Sequence, residues 1–577
     1  MKNSILTDRI SILFIIFVTL GIYYPTIFAE ICSIDDEKMI NNLLRMDTYN
    51  LKHIFLPNSV HYYRPLIFLT FVFDRFVWLC TESFMHLENV LIHVLNGVLV
   101  YLCSKEFFRR FNLKLFEQAP MIIALLFVVH PINTESVCWI SGRTDILTAT
   151  FLYIALFLLL KRGIEDNIYL ILSALSYFLA LLSKETALGL LLVVFMFLIL
   201  KGEIVKSKIR KFIVMVPYIL ITIIYFILRS YTPKKDEGIR IFTGIQQQPE
   251  IVSNDLLTLS NIGRCIKATG FYIKKLFFPM PLNFTIFEIN RSLYFWLGLL
   301  LIAGIIYVVY KRNLYSFLVV ITVSFFIPAL ALVIRNMTWT QLAERYLYIS
   351  SFGAIILFVI SYYRFTESIS VNLQNSLLFV LILASCFVTA NRVMTWQSNL
   401  TIFADTVEKS PRSPAIRNEY GVALAKSGRI EEAVTQFKMS QTLSQFKYKP
   451  PLFNLVAINL NKTGDVKKAK QEYINELPTS GRYKYDMLMT IVQLIDREQG
   501  EDTNGLHKRE LMMEQIYYLQ QANKITKKGS NFYKLGQCYL QISDKNMARE
   551  SFIQAIKIEP KGYFAESAKK LIASLSL

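Results

Sequence analysis

Long apolar runs separated by short polar stretches occupy the first two-thirds of the chain, at 10–29, 87–103, 119–130, 144–160, 167–182, 186–200, 212–229, 293–310, 314–333, 346–362 and 376–390. A helix needs roughly 20 apolar residues to cross about 30 Å of hydrocarbon, so the pattern predicts eleven membrane-spanning helices. The first run follows Lys2 and Arg9 and has no small-x-small cleavage pattern before Glu30, which reads as a retained anchor rather than a removable leader. Two further runs carry charge. The run 64–82 holds Asp74-Arg75 at its centre, and 263–281 holds Lys267, Lys274 and Lys275 and ends in Pro279 and Pro281. Charges at mid-bilayer cost several kcal/mol each, so both are expected as helices at the interface or packed in a cavity.

After residue 391 the pattern becomes that of a water-soluble helical domain, and a repeat emerges. Tyr420-Gly421, Leu424, Gly428, Ala433 and Phe437 follow the tetratricopeptide spacing, and Lys534-Leu535-Gly536, Tyr539, Ala548, Phe552, Ala555 and Pro560 follow it more closely. A weaker copy runs through Val456-Ala457, Leu460, Gly464, Ala469 and Tyr473, whereas 478–530 is helical without a good match. The expected organisation is an all-α polytopic membrane domain over 1–391 and a helical repeat domain over 392–577. Such repeats bury their apolar faces by stacking and leave a concave surface suited to extended peptide. Docking of a substrate polypeptide and assembly with another protein both remain open.

Composition agrees with the pattern: 54% of the 577 residues are hydrophobic and 18% charged, which excludes an ordinary soluble enzyme. The excess of Lys+Arg over Asp+Glu, 62 against 43, does not call for nucleic acid, because membrane proteins collect basic residues in cytoplasmic loops. With eleven crossings and a cytoplasmic N-terminus, the basic loops Lys105/Arg109/Arg110/Lys114, Lys161/Arg162, Lys201/Lys206/Lys208/Arg210/Lys211 and Lys311/Arg312 all fall on the cytoplasmic side. Seven cysteines occur singly, without a C-x-x-C pair, so neither a metal cluster nor a disulfide framework is indicated.

The same count sends the unusual polar residues to the other side. These are Asp35-Asp36-Glu37, His61-Tyr62-Tyr63-Arg64-Pro65, His130-Pro131-Ile132-Asn133-Thr134-Glu135, Gly142-Arg143-Thr144-Asp145, Ser183-Lys184-Glu185, Arg335 and Glu344-Arg345-Tyr346. A transporter scatters ionisable groups near the bilayer midplane. Clustering at one face points instead to an active site whose substrate lies partly in lipid and partly in water.

The order of Asp35-Asp36, Tyr63-Arg64-Pro65-Leu66, His86-Leu87-Glu88-Asn89-Val90-Leu91-Ile92-His93, His130 to Glu135, Gly142 to Asp145, Ser183-Lys184-Glu185, Ala343-Glu344-Arg345-Tyr346-Leu347-Tyr348 and terminal repeats resembles the transmembrane and tetratricopeptide-repeat-containing O-mannosyltransferases and their prokaryotic relatives. The resemblance implies a GT-C glycosyltransferase fold and transfer of a hexose, such as mannose, from a polyprenyl phosphate carrier (dolichyl or undecaprenyl) to Ser or Thr hydroxyls of protein on the non-cytoplasmic side. The membrane would be the plasma membrane of a prokaryote or the endoplasmic-reticulum membrane of a eukaryote. A glycan or lipid acceptor is the alternative within the enzyme class, and a non-catalytic scaffold recruiting partners through its repeats is the alternative outside it.

That reaction needs a base for the acceptor proton and cations for the departing phosphate. Asp35 and Asp36 are the candidate base, nearly equally, against the bland reading of a solvated acidic turn or helix cap. Arg64, before Pro65, is the first candidate phosphate ligand, with interfacial snorkelling as its rival. Arg143, Arg335 and Arg345 are further candidates, Arg345 having as its rival an ion pair with Glu344 or with a carboxylate in another loop. His130, Glu135, Lys184 and Glu185 are candidate sugar or acceptor contacts, although His130-Pro131 equally suits a helix terminator and Lys184-Glu185 a surface pair. His86 and His93 share a helical face but lack a third ligand, so no metal is expected. The absence of a Walker loop or a GxGxxG motif disfavours a nucleotide-sugar donor.

Overall fold

The computed structural model describes residues 2–44, 51–55, 63–113, 118–163, 165–200, 208–231, 258–287, 289–335, 342–502, 507–560 and 562–575. The described residues are helical throughout, apart from turns and an isolated antiparallel bridge between Ile286 and Leu342. They form two compact units, Met1–Tyr420 and Gly421–Leu577.

The first unit contains α1 (Lys2–Tyr23), α2 (Asp36–Leu44), α3 (Leu51–Phe55), α4 (Pro65–Val77), α5 (Glu82–Arg110), α6 (Ala119–Val128), α7 (Thr134–Cys138), α8 (Arg143–Leu158), α9 (Asn167–Ser183), α10 (Leu190–Leu200) and α11 (Lys208–Ser230). It continues through α12 (Leu259–Phe277), α13 (Arg291–Tyr310), α14 (Leu314–Ser324), α15 (Ile327–Arg335), α16 (Tyr348–Phe365), α17 (Val371–Thr395) and α18 (Asn399–Lys409). The division between units falls inside α19 (Pro414–Lys426). Residues 392–413 therefore pack with the membrane helices rather than with the repeats.

Each of the eleven expected runs is helical, but they differ in reach. Among the described residues, eight stretches are long and apolar enough to cross a membrane, and the bent pair Ala119–Val128 and Pro131–Cys138, with an angle of 46°, would make a ninth. Asn167–Ser183 and Glu185–Leu200 are apolar but shorter. Neither charged run qualifies as a span. In α4, 13 residues long, Asp74 is buried, and α12 packs against α13, α15 and α16 with Lys275 buried. At the α12/α13 crossing a Cβ on Gly270 would lie 2.6 Å from the Tyr294 carbonyl oxygen. A glycine there lets the two backbones meet.

The long helix α5 gives the bundle two poles. Lys105, near its C-terminus, lies 2.6 Å from Asp8 of α1, while Arg110 pairs with Glu165 at 2.6 Å and Arg109 donates to the Lys161 carbonyl. At the other end of α5, Met85, Glu88 and Asn89 surround Arg143. With a rise of 1.5 Å per residue, the two groups are roughly 25–30 Å apart. Between them runs a buried polar ladder. The Tyr348 hydroxyl lies 2.6 Å from His93 Nδ1 and accepts from Asn96 Nδ2, Asn96 Oδ1 accepts from Thr150, and His93 Nε2 meets the Val128 carbonyl. This network makes His93 Nε2 the protonated nitrogen and satisfies polar groups that lipid would leave unpaired.

The second unit is built from helical hairpins: α20 (Ile430–Leu443), α21 (Pro450–Thr463), α22 (Val466–Glu476), α23 (Lys484–Glu501), α24 (Lys508–Ile525), α25 (Gly529–Gln541), α26 (Lys545–Ile558) and α27 (Ala565–Leu575). Successive helices pack in sequence. A common core runs through Val456, Tyr473, Ile491, Leu519, Leu535 and Phe552. Residues 478–530, poorly matched as a repeat, supply α23 and α24 to this same core. In the α25/α26 hairpin a Cβ on Gly536 would sit 2.5 Å from the Phe552 ring. Gly536→Val is therefore expected to destabilise this unit by about 1–3 kcal/mol, because a well-packed ring has to shift. Denaturant unfolding followed by hydrogen exchange in α25 and α26 measures it.

Candidate functional site

The acidic pair follows α1 after a 3-10 helix, Tyr24–Phe28, an irregular stretch and a turn at 33–35. Asp35 adopts a φ of 70°, a left-handed conformation that Asp tolerates better than most side chains, and Asp36 opens α2. The turn sends the two carboxylates to different environments. Asp36 is fully buried, and its Oδ1 accepts from the backbone N–H of Ser141 at 3.0 Å and from the Ser141 hydroxyl. Burial, reinforced by the Asp35 charge and opposed by the Ser141 donors, pushes its pKa up to about 7. Asp35 is only partly buried. Burial raises its pKa as well, while Arg345 and Lys38 pull it down and favour the carboxylate.

Ser141 is held by a rigid loop. The Asn89 side-chain amide donates to the Trp139 carbonyl at 2.9 Å and reaches those of Val137 and Ile140, and a Cβ on Gly142 would lie 2.6 Å from the Ser136 carbonyl. The next residue, Arg143, is completely buried. It contacts Asp74 at 2.6 Å and Glu88 at 3.0 Å, donates to Asn89 and to the Met85 carbonyl, and lies 5.0 Å from the Phe71 ring centroid. The expectation that Arg143 grips a lipid phosphate is corrected accordingly: its fork is occupied in joining α4, α5 and α8, with no exposed face.

The remaining expected cations pair with the expected substrate contacts. Arg64, capping α4 ahead of Pro65, donates through Nε to Glu185 at 3.0 Å, with about a quarter of each side chain exposed (22% and 24%). Burial works to raise the Glu185 pKa, but the Arg64 guanidinium holds it below the ordinary carboxylate range. Lys184 is buried against Asp145 at 2.5 Å and faces the Tyr346 ring. Arg345 pairs with Glu135, whose second oxygen accepts the Arg345 backbone N–H at 3.1 Å, and its guanidinium stacks 4.9 Å from Trp139. The partner of Arg345 is thus a carboxylate of another loop. Glu344 turns instead to Lys275 at 2.6 Å and to the backbone N–H of Asn283 at 3.0 Å.

Asp35, Asp36, Arg345, Glu135, Lys184, Arg64 and Glu185 thereby gather at one pole, where Arg345 acts electrostatically on Asp35 and, with Arg64, on Lys184. His130 has the bland role: its Nε2 lies 3.1 Å from the Leu276 carbonyl and its Nδ1 accepts from the Ile132 N–H, terminating a helix. Arg335 ends α15, and its side chain, like His61 and Tyr62, lies outside the described residues. Sequence reasoning missed Ser141, Asp74 and the Lys275–Glu344 pair. The charges flagged in the runs 64–82 and 263–281 were the available signal, since a charge inside an apolar helix requires a counter-charge.

No family model matches the chain. Among curated proteins, protein O-mannosyl-transferase TMTC3 of Mus musculus is 26% identical over 412 residues, covering 65% of this chain and 44% of the relative. Protein O-mannosyl-transferase TMTC1 of Homo sapiens is 34% identical over 139 residues, 22% of this chain and 15% of the relative. Protein O-mannosyl-transferase F38B6.6 of Caenorhabditis elegans is 23% identical over 389 residues, covering 65% of this chain and 53% of the relative. The chain thus resembles the TMTC protein O-mannosyltransferases and spans about half, or less, of the length of these relatives.

The geometry bears on stability in two measurable ways. Arg143→Met leaves Asp74 and Glu88 without their counter-charge, at an expected cost of about 3–5 kcal/mol, read as a lower unfolding midpoint in detergent. Asp36 binds its proton more tightly folded than unfolded. Its stabilising contribution is full below its unfolded pKa, about 3.9, and is lost as pH rises through about 7. Asp36→Asn keeps an oxygen for Ser141, and the drop in unfolding midpoint from about pH 4 to about pH 8 is expected to shrink in this variant.

Proposed function

We propose that the protein is a multi-pass membrane glycosyltransferase of GT-C type that moves a hexose, mannose by analogy with the names of its relatives, from a polyprenyl phosphate carrier to a Ser or Thr hydroxyl of a protein. The observation that carries this reading is a partly exposed carboxylate, Asp35, under the influence of Arg345 at the pole where Arg64 emerges partly exposed. The basic loops of the opposite pole support a site on the non-cytoplasmic side.

In this reading Asp35, not Asp36, takes the acceptor proton. Asp36 is sealed from solvent and spent on Ser141, whereas Asp35 has an open edge and a cationic neighbour, Arg345, that opposes the upward pull of burial on its pKa. The acceptor oxygen attacks the anomeric carbon from the face opposite the phosphate, the new C–O bond forms as the bond to the phosphate oxygen breaks, and the configuration inverts. The hydroxyl proton goes to Asp35 and the bonding pair leaves with the polyprenyl phosphate. Arg64 meets that growing charge, since its guanidinium lies at the rim and its present partner Glu185 can share it with a phosphate oxygen. Arg345, fixed by Glu135 and Trp139, contributes a buried positive field rather than a mobile clamp. The helical hairpins of 421–577 would dock the acceptor polypeptide.

Transfer from labelled mannosyl polyprenyl phosphate in membranes tests the assignment. Asp35→Asn is expected to lower transfer at least about 100-fold and Asp36→Asn much less, while Arg64→Ala raises the donor KM by roughly tenfold. Full activity of a folded Asp35→Asn overturns the base assignment, and inactivity of the wild type with every lipid-linked donor favours the scaffold.

A further inference from the structure

The residues that carry the acid pair are tied to chain that follows the last membrane helix. Glu30 donates its backbone N–H to the Gln397 carbonyl at 3.0 Å, and its carboxylate accepts the Asn399 backbone N–H at 3.1 Å. The Asn399 side chain donates to the Ile31 carbonyl at 2.8 Å and accepts the Ser33 N–H at 2.9 Å, and the Ser33 hydroxyl reaches Glu419 at 2.9 Å. One amide thus reads both the donor and the acceptor of a part-buried backbone stretch, which neither Asp nor Leu can do. Asp35 comes two residues after this clasp.

Asn399 is the first residue of α18, and the other end of that helix is also fixed. Ser410, directly after α18, donates to the Thr285 carbonyl at 2.7 Å and accepts from the Asn283 side chain at 2.9 Å. The Asn283 backbone N–H in turn donates to Glu344, the neighbour of Arg345. Midway along α18, Phe403 packs on Phe284, which also meets Trp139 and Trp396. A helix of 11 residues, about 16 Å long, therefore connects the loop bearing Asp35 to the 283–285 segment, which in turn holds Glu344 beside Arg345.

We propose that α18 is a positioning strut that sets the separation of Asp35 from Arg345, with Asn399 and Ser410 as its two attachment residues. The proposal rests on the reading of Asp35 as the base. It makes a segment outside the apolar helices part of what holds the reacting geometry. Asn399→Asp keeps the acceptor for Ser33 but loses the donor to Ile31 and sets a carboxylate against Glu30. Glu30→Gln in the same chain returns a donor to that contact. Ser410→Ala cuts the far attachment without touching residues 30–33.

The experiment uses the full chain in membranes, with mannosyl polyprenyl phosphate as donor and hydrogen exchange over 30–36 as a readout independent of activity. Asn399→Asp is expected to speed exchange over 30–36 and to lower kcat on the order of 10–100-fold, as a displaced reacting group does. Its donor KM stays within about twofold of wild type because phosphate binding is untouched. The double variant Asn399→Asp/Glu30→Gln, which relieves the carboxylate pair but not the lost Ile31 contact, regains part of both, and Ser410→Ala lowers kcat with exchange over 30–33 unchanged. Unchanged exchange in Asn399→Asp, or an unchanged kcat in either single variant while Asp35→Asn is inactive, overturns the strut and leaves the base assignment standing. An active Asp35→Asn overturns the base assignment, and the exchange result alone then decides the clasp.

Discussion

A charge cannot remain alone in an apolar bundle, and the whole upper pole of this protein is organised by that constraint. Arg143 with Asp74 and Glu88, Lys184 with Asp145, Arg345 with Glu135 and Lys275 with Glu344 are all nearly or fully buried on the cationic side. An ion taken from water costs several kcal/mol unless a counter-ion and hydrogen bonds meet it, so each pair locks together the elements that supply it. The pairs join segments far apart in sequence and tie together α4, α5, α7, α8, α12, the end of α9 and the turn before α16. Breaking one partner is costly; keeping both makes the geometry of their neighbours fixed.

Exposure grades these charges by task. The fully enclosed Arg143 is architecture, Arg345 is buried yet close enough to bias Asp35, and the Arg64–Glu185 pair retains access to water. The two adjacent aspartates divide in the same way: one anchors a loop through Ser141 and the other is left at an open edge. An enzyme that forms no covalent intermediate gains most of its rate from preorganised charge aimed at the charge that develops during the reaction. On the proposed reading, these buried pairs would supply that field.

The helices were legible in the sequence because hydrophobicity is local and additive: each apolar run maps onto a helix, and the charged runs 64–82 and 263–281 were set apart for the right physical reason. Lengths were less legible, since α9 and α10 reach less far than a full crossing. The acidic and basic loops that the sequence reading grouped together do meet at one pole. Partner choice was not legible. Glu135 and Arg345 are 210 residues apart, and nothing in either loop distinguishes Glu135 from Glu344 as the partner. Asp35 and Asp36 look alike in sequence, and only the turn at Asp35 buries one fully and leaves the other partly exposed. Asn399 opens an Asn-Leu-Thr triplet but gave no signal of its pairing, because a side-chain amide that pairs with distant backbone leaves no pattern of its own.

The reach of α9 matters for the membrane around it. Its 17 residues rise about 25 Å, less than the ~30 Å of an ordinary hydrocarbon layer, and mismatch of this kind is relieved by thinning the bilayer beside the short segment. The turn that closes α9 carries Lys184 and Glu185, and Glu185 holds Arg64. On the proposed reading, a bilayer thinned at this flank would bring anionic lipid headgroups closer to the Arg64 guanidinium.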